Sequence, residues 1–346
     1  MEPRLSRSGK LAAGVGGAAA ALAAGWLATQ RHDSRAIEAD PRGRALFAEF
    51  GGRRSTVRAA DGTALWVHTF GPDDAPTIVF VHGWTCAAQF WKLQVEALQG
   101  QRRVVAFDLR GHGQSERPPD RNYSIETFAT DLNAVLKATV PEAERAMLVG
   151  HSLGAMTIVA WAGSHPDRVD GRVSSAVLIN TGIGDLISES LVVQGLPGSF
   201  ARLRRVLGES VLRARAPIPA GSTPISHRVI GQFVVGPDAS PAEIAFCEQL
   251  VLSCPAEVRS AVGGTLSRLD LEHALAKLQA PTLVIAGELD KLTPPAHAHL
   301  MAELLPDVLE VIEIPHSGHM SPVEFPQRIN RLLAELAGVS APVGSF

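Results

Sequence analysis

Three side chains of this chain have the types and the order that nucleophilic catalysis requires. Ser152 lies at the centre of the segment GHSLG, residues 150–154. A serine hydroxyl is a weak nucleophile at neutral pH and needs a neighbouring base. Asp290 and His319 follow in the order serine, acid, histidine. The pattern predicts acyl transfer through Ser152, with His319 as the base and Asp290 as the acid that orients it.

The glycines around the predicted nucleophile have a steric role. The serine would occupy a sharp turn between a strand and a helix, so that its hydroxyl projects above the strand ends. Side chains two residues before or after it would collide with the neighbouring helix or strand, so Gly150 and Gly154 are predicted to support the turn. A chance match remains an alternative in a chain with 32 glycines, but the flanking strand and helix favour the functional interpretation.

The predicted acid and base both follow apolar runs that resemble strands. TLVIA precedes Asp290, and LEVIEI precedes His319. Ligand-binding and catalytic groups collect at the carboxyl ends of strands in open α/β sheets. Glu288 and His316 lie close by and are alternatives for the same two roles.

An acyl-transfer site also needs donors for the developing oxyanion, normally two backbone N–H groups. The N–H of Leu153, directly after the nucleophile, is predicted to be one of them. The other is assigned to Trp84, in the loop HGWTC that follows the strand TIVFV. Gly83 is a supporting residue of this loop. His82 could act as a second base, but we favour a ring that hydrogen-bonds the backbone and shapes the loop.

The elements that would position these residues alternate between strand and helix. Residues 55–70 are predicted to form a hairpin that turns at Asp61-Gly62. The segment 124–139 has helical spacing with start signals at Ser124, Thr127 and Asp131. Further strands are predicted at TIVFVHG, RVVAFD, RAMLVGH, SAVLIN, TLVIA and LEVIEI. Such alternation gives an α/β fold with a mostly parallel, doubly wound sheet.

One long segment breaks this alternation. Residues 183–278 contain no clear strand series and are interrupted by prolines, which predicts an inserted helical cap. The chain is therefore predicted to divide into six segments. They are a membrane anchor or signal segment at 1–30, a linker with a short helix at 31–53, the first part of the core at 54–182, the cap at 183–278, the second part of the core at 279–338 and a tail at 339–346.

The N-terminal segment has an unusual composition. Arg4, Arg7 and Lys10 precede an uncharged run over residues 11–30 that is rich in alanine and glycine. About 20 apolar residues suffice to cross a bilayer, and a basic flank would stay cytoplasmic. The sequence thus predicts a membrane-anchored or exported protein with its catalytic domain outside the cytoplasm. A cleaved signal peptide and an alanine-rich soluble leader are the alternatives, and a cytoplasmic location stays open.

The bulk composition narrows the partners. Apolar residues make up 46% of the chain and the formal net charge is −3, so a large core is possible and nucleic acid is not an expected partner. No P-loop, dinucleotide-binding motif or metal-ligand cluster occurs, and no cofactor or metal is predicted. Cys247 and Cys254 could form a disulfide, although buried thiols are the favoured interpretation.

Several segments together resemble the α/β-hydrolase superfamily from about Thr56 to Leu336. They are VFVHGW, AFDLRGHGQS, LVGHSLG, VIAGELDKLTP and PHSGHMSPVEFP. The resemblance implies an eight-stranded, mostly parallel sheet flanked by helices, with the cap over a Ser–Asp–His triad. Within the superfamily the chain looks most like carboxylesterases, lipases and cofactor-free haloperoxidases. Epoxide hydrolases and haloalkane dehalogenases carry an aspartate at the position of Ser152, which disfavours both.

The expected function is therefore a serine hydrolase of the carboxylic-ester class. It would act on a small-molecule ester or a lipid, with an apolar or lipid-like acyl group, through an acyl-enzyme intermediate. One alternative is a non-enzymatic or slow-turnover receptor for small molecules on the same fold. A haloperoxidase-like or perhydrolase-like activity is another.

Overall fold

A computed structural model describes residues 7–186 and 222–340, with side chains from residue 23 onward. Eight strands form one sheet: β1 (Arg53–Arg58), β2 (Ala64–Phe70), β3 (Thr77–Val81), β4 (Arg103–Phe107), β5 (Ala146–His151), β6 (Val173–Ile179), β7 (Thr282–Gly287) and β8 (Val308–Ile314). Their order is β1-β2-β4-β3-β5-β6-β7-β8. β2 pairs antiparallel with β1 and β4, and every other neighbouring pair is parallel. The predicted fold class is confirmed.

The central strands are buried along their whole length. Every residue of β3, β5 and β7 is buried, as expected of parallel strands with helices on both faces. These three strands are also the ones that lead into the Trp84 loop, Ser152 and Asp290. The hydrophobic burial that stabilises the sheet therefore also fixes the ends of the strands from which the site is built.

Helices cover both faces of the sheet, and each face has its own hydrophobic cluster. The α-helices that precede β6 are α1 (Arg7–Ala39), α2 (Gly43–Phe47), α3 (Lys92–Leu98), α4 (Ile125–Thr139), α5 (Leu153–Ser164) and α6 (Val169–Arg172). α4 begins where the sequence predicted, because the Ser124 side chain accepts a hydrogen bond from Thr127 N.

The segment between β6 and β7, residues 183–278, is called the insertion below. Residues 187–221 of it lie outside the described part. The remainder contains four helices: α7 (Pro224–Phe233), α8 (Pro241–Ser253), α9 (Ala256–Leu266) and α10 (Glu272–Leu275). The chain then returns to the sheet and adds α11 (Pro295–Leu304), α12 (Ser321–Glu324) and α13 (Pro326–Ala337).

The first helix differs from the predicted division of the N-terminus. It continues across residue 30, where an anchor was expected to give way to a linker, and ends only at Ala39. Its last turns contact the insertion, since Asp33 pairs with Arg228 at 3.1 Å and Asp40 Oδ2 accepts a hydrogen bond from Ala242 N at 2.9 Å.

The predicted membrane span over residues 11–30 has no support from the structure. Within the part whose side chains are described, no helix is long and apolar enough to cross a membrane. Residues 11–22 lie outside the described side chains, and the predicted location of the protein stays a prediction.

The three cysteines are all free and buried. The disulfide between Cys247 and Cys254 that the sequence left open is therefore absent. The favoured interpretation as buried thiols agrees with the structure.

Candidate active site

Ser152 occupies the turn between β5 and α5, where its backbone adopts φ 51° and ψ −120°. A residue with a Cβ rarely adopts such a conformation, and it costs roughly 1–3 kcal/mol. Two hydrogen bonds hold the turn: Ser152 N donates to Ile179 O at 2.9 Å, and Thr181 Oγ1 donates to Ser152 O at 3.0 Å. Both come from the end of β6, so the neighbouring strand supports the strained residue.

The glycines on either side of Ser152 lie at close backbone contacts. A Cβ on Gly150 would lie 2.5 Å from Ala155 N, in the first turn of α5. A Cβ on Gly154 would lie 2.0 Å from Val81 O, at the end of β3. Real Cβ atoms do not approach backbone this closely, so both positions exclude any larger residue without a backbone shift.

Asp290 follows β7 and is completely buried. Its Oδ2 accepts hydrogen bonds from His319 Nδ1 at 2.8 Å, Thr293 Oγ1 at 2.8 Å and Asn180 Nδ2 at 3.0 Å. Its Oδ1 accepts from the backbone N–H groups of Leu292 and Thr293. Burial by itself would raise the pKa of Asp290, but His319 and these donors together lower it. The carboxylate is therefore kept ionised beside the imidazole.

His319 lies in the loop after β8 and is 6% exposed. Since its Nδ1 is engaged by Asp290, its Nε2 is the nitrogen left for a proton from a nucleophile. The loop meets the Ser152 turn directly, because His151 Nε2 lies 2.8 Å from His319 O. The two rings are 4.9 Å apart between centroids.

His151 is neutral at physiological pH. Burial and the neighbouring His319 lower its pKa to about 3. A neutral His151 that donates from Nε2 to His319 O leaves Nδ1 as a bare acceptor, and this atom has no hydrogen-bond partner in the described structure. The contact joins the strand that carries Ser152 to the loop that carries His319.

The loop after β3 runs alongside the serine turn. A Cβ on Gly83 would lie 2.7 Å from His151 Nδ1 and 3.2 Å from Ser152 Cβ. Within the described residues, neither Trp84 N nor Leu153 N donates to a protein acceptor. Both amides are thus available to an anionic oxygen, and first-turn amides such as that of Leu153 are suited to this role.

His82 holds this loop in place through both nitrogens of its ring. Its Nδ1 lies 2.8 Å from Gly83 O, and Leu109 N donates to its Nε2 at 2.9 Å. The ring is completely buried, and burial is the main cause that lowers its pKa well below the usual value. Both nitrogens are occupied by backbone groups, so the ring has no free nitrogen to act as a second base.

The two rival residues lie at the surface. His316 Nδ1 lies 2.9 Å from Asp238 Oδ2, and both side chains are 65% exposed. Glu288 Oε2 accepts a hydrogen bond from His316 N at 2.9 Å. Neither rival takes part in the buried pair of Asp290 and His319.

Sequence reasoning missed two residues that contact this pair and a third that contacts the backbone beside His319. Asn180 Nδ2 donates both to Asp290 Oδ2 and to Gly318 O, and Thr293 Oγ1 also lies 3.3 Å from His319 Nδ1. Glu324 contacts the backbone on both sides of His319. Asn180 directly follows a strand, the same signal that identified Asp290, but no signal in one sequence shows that they meet. Among the described residues, no cluster of His, Cys, Asp or Glu could hold a metal ion.

Comparison with known proteins gives a consistent result. Residues 76–326 match the family model for the alpha/beta hydrolase fold. A non-heme chloroperoxidase of Streptomyces lividans is 28% identical, over 70% of this chain and 84% of its own length. A bifunctional esterase/perhydrolase of Acinetobacter calcoaceticus is 28% identical, over 80% of this chain and 96% of its own length. A thermophilic esterase of Thermogutta terrifontis has a similar structure, with a TM-score of 0.66 and 25% identity over 82% of this chain and 97% of that one.

Proposed function

The chain belongs to the α/β-hydrolase family, and we propose that it is a serine hydrolase that cleaves carboxylic esters. One observation carries the proposal: the buried hydrogen bond of 2.8 Å between His319 Nδ1 and Asp290 Oδ2, next to the strained turn at Ser152. A buried imidazole paired with a carboxylate on one nitrogen is suited to accept a proton on the other. Esterases among the structural relatives support the same reaction.

The proposed reaction has two acyl-transfer steps. His319 Nε2 accepts the proton of Ser152 Oγ as this oxygen bonds to the ester carbonyl carbon. Trp84 N and Leu153 N donate to the resulting oxyanion, and loss of one such donor costs about 3 kcal/mol in comparable sites. The carbon–oxygen bond to the alcohol then breaks, and the alcohol leaves with the proton from His319.

Water completes the cycle. His319 accepts a proton from the water as its oxygen attacks the acyl-enzyme, and the bond to Ser152 Oγ breaks as the proton returns to it. Asp290 stays ionised throughout and stabilises the imidazolium that forms in each step. The products are a carboxylic acid and an alcohol.

The acyl group that this site would accept is apolar. Val258, Val262 and Leu266 of the insertion belong to the same hydrophobic cluster as Leu153, and Trp84 packs against that cluster. Leu153 and the partly buried Trp84 thus belong to apolar surroundings, and on this ground we propose an alkyl or lipid-like acyl group rather than a charged one.

The test is hydrolysis of p-nitrophenyl esters of increasing acyl length by the full-length protein. We expect turnover that rises from acetate to medium or longer chains and falls by a factor of about 10⁴ or more in Ser152→Ala. A Ser152→Ala protein with near-normal rate would exclude the proposed nucleophile. Folded protein with no turnover on any ester would favour the receptor function instead.

A second reaction of the same acyl-enzyme is favoured by two of the relatives. The chloroperoxidase and the esterase/perhydrolase named above suggest that hydrogen peroxide could replace water as the attacking molecule and give a peracid. We expect oxidation of bromide to depend on added peroxide, on a short carboxylic acid and on Ser152. If the wild-type protein forms peracid no faster than Ser152→Ala, the second reaction is excluded and ester hydrolysis remains the proposed function.

A further inference from the structure

We propose that Glu324 is a positioning residue, whose carboxylate joins the insertion to the loop of His319 and holds the imidazole in its reactive position. This inference rests on the proposed function, because it concerns the base of that reaction. Glu324 itself does not contact the reacting atoms, so its effect would pass through the backbone.

Three backbone N–H groups donate to the carboxylate of Glu324, which is 6% exposed. Met320 N donates to Oε1 at 2.9 Å, and Oε2 accepts from Gly318 N at 2.9 Å and from Gly236 N at 2.6 Å. Gly318 and Met320 are the two chain neighbours of His319. One carboxylate thus fixes the backbone on both sides of the imidazole.

The third donor comes from the insertion. Gly236 lies just after α7, where Val234 O also accepts a hydrogen bond from His319 N at 2.8 Å. The two backbones are so close that a Cβ on Gly318 would lie 2.5 Å from Gly236 N. Hydrogen bonds therefore join the insertion directly to the histidine loop. The carboxylate of Glu324 adds a further link, because it accepts from Gly236 N as well as from the loop.

No ion pair of the described residues includes Glu324, so no cation compensates its charge there. Burial raises the pKa of Glu324 to about 7 although the three amides lower it, and Glu243 of α8 raises it further. The other titratable group that faces it from α8 is Cys247, and Glu243 is paired with Arg42. Only the deprotonated form offers two unprotonated oxygens to the three amides, since a proton turns one oxygen into a donor and leaves it a weaker acceptor.

The two protonation states should therefore differ in how firmly the histidine loop is held. At alkaline pH the carboxylate joins all three amides. Below neutral pH the protonated acid presents a hydroxyl oxygen, a weaker acceptor, to part of this set of N–H groups. Glu324→Gln imitates this protonated state at every pH, because the amide nitrogen is also a donor.

The experiment compares the full-length protein with Glu324→Gln on one p-nitrophenyl ester, from about pH 5.5 to about pH 9. We expect wild-type kcat to exceed that of the variant about tenfold at alkaline pH, since small displacements of a catalytic group are costly. The ratio should fall towards one below neutral pH, with KM little changed. Dividing one profile by the other removes every pH dependence that the two proteins share.

Glu288→Gln is the matched control. Glu288 also accepts a backbone N–H of the same loop, that of His316 at 2.9 Å, but it accepts only one and lies at the surface. Its ratio to wild type should stay near one at all pH values. A flat ratio for Glu324→Gln, with a change only in thermal stability, would overturn the positioning role and leave a structural anchor.

Two further variants keep the outcome decisive. If Glu324→Gln does not fold, Glu324→Asp replaces it in the experiment. This variant keeps the charge, but its shorter side chain cannot reach all three amides. A kcat equal to that of wild type in Glu324→Asp would count against the inference. Ser152→Ala separates the two proposals. Wild-type protein no faster than Ser152→Ala overturns the proposed function together with this inference, whereas active wild type with a flat ratio overturns the inference alone.

Discussion

At the scale of single residues, the strained backbone of Ser152 gives the turn its shape and lowers the stability of the folded protein. Its φ of 51° and ψ of −120° suit glycine better than any residue with a Cβ. We expect Ser152→Gly to be more stable than Ser152→Ala by about 1 kcal/mol, although both lack the hydroxyl. Urea unfolding of the two variants measures the difference. Equal stability, or a more stable alanine variant, would show that this backbone carries no strain.

The residues that a single sequence revealed are those with a local signal. Ser152 lies in a glycine-flanked turn, and Asp290 and His319 follow apolar strands. Asn180 follows a strand as Asp290 does, but nothing local shows that the two residues meet across the chain. Glu324 has no local signal, and its contact with the distant Gly236 cannot be read from the sequence. A carboxylate that accepts three amides and one that is merely exposed look the same in a sequence.

At the scale of elements, the packing of α5 against β3 depends on one missing side chain. Alanine at Gly154 would place its Cβ 2.0 Å from Val81 O, which is backbone and cannot rotate away. We expect Gly154→Ala to lower the free energy of unfolding by about 3 kcal/mol or more, and to lower activity because α5 carries Leu153 N. The measurement is chemical unfolding together with ester hydrolysis.

Gly100→Ala is the control for this prediction. No atom lies within 4 Å of a Cβ built on Gly100, so its substitution should change stability by no more than about 0.5 kcal/mol. Similar losses in the two variants would mean that the contact with Val81 O is not what makes Gly154 necessary.

The elements themselves were predicted well where the local sequence signal is strong. The buried runs of β3, β5 and β7 and the start of α4 at Ser124 follow directly from the sequence. The N-terminus has a weaker signal, because an alanine-rich sequence suits a membrane anchor, a signal peptide and a soluble helix alike. The docking of α1 against the insertion through Asp33 and Arg228 depends on a partner that periodicity does not identify.

At the scale of the whole molecule, burial makes the three thiols unreactive. Burial raises the pKa values of Cys86 and Cys254 to about 12 and that of Cys247 well above its usual value. Since the thiolate is the reactive form, we expect no reaction of native protein with a thiol reagent near pH 8. All three should react after denaturation without reductant. Only one reactive thiol in denaturant would indicate the disulfide that the structure lacks.

The pH dependence of stability combines opposite contributions. Burial lowers the pKa values of His112 and His151 to about 4 and about 3. Below the ordinary pKa of 6.5, the unfolded state binds protons at these histidines that the folded state excludes. The free energy of unfolding therefore decreases as pH falls. Glu324 acts the other way: with its pKa raised to about 7, the folded state binds a proton between about pH 7 and 4.5 that the unfolded state does not.

Removal of Glu324 should expose the contribution of the histidines. Between about pH 6.5 and 4.5, we expect the unfolding free energy of Glu324→Gln to fall more steeply than that of wild type, by up to about 1.4 kcal/mol per pH unit. Urea unfolding at a series of pH values measures both slopes. Parallel slopes would mean that Glu324 titrates alike in both states.

The position of the last two strands has a consequence for synthesis of the protein. β7 pairs with β6, and β8 with β7, at one edge of the sheet, and the loops of Asp290 and His319 follow these strands. During translation the turn of Ser152 leaves the ribosome well before either loop. On the proposed roles, a nascent or prematurely terminated chain would carry the nucleophile without its base. Hydrolytic activity would then begin only after β8 and the loop of His319 have been made, and shorter fragments would lack it.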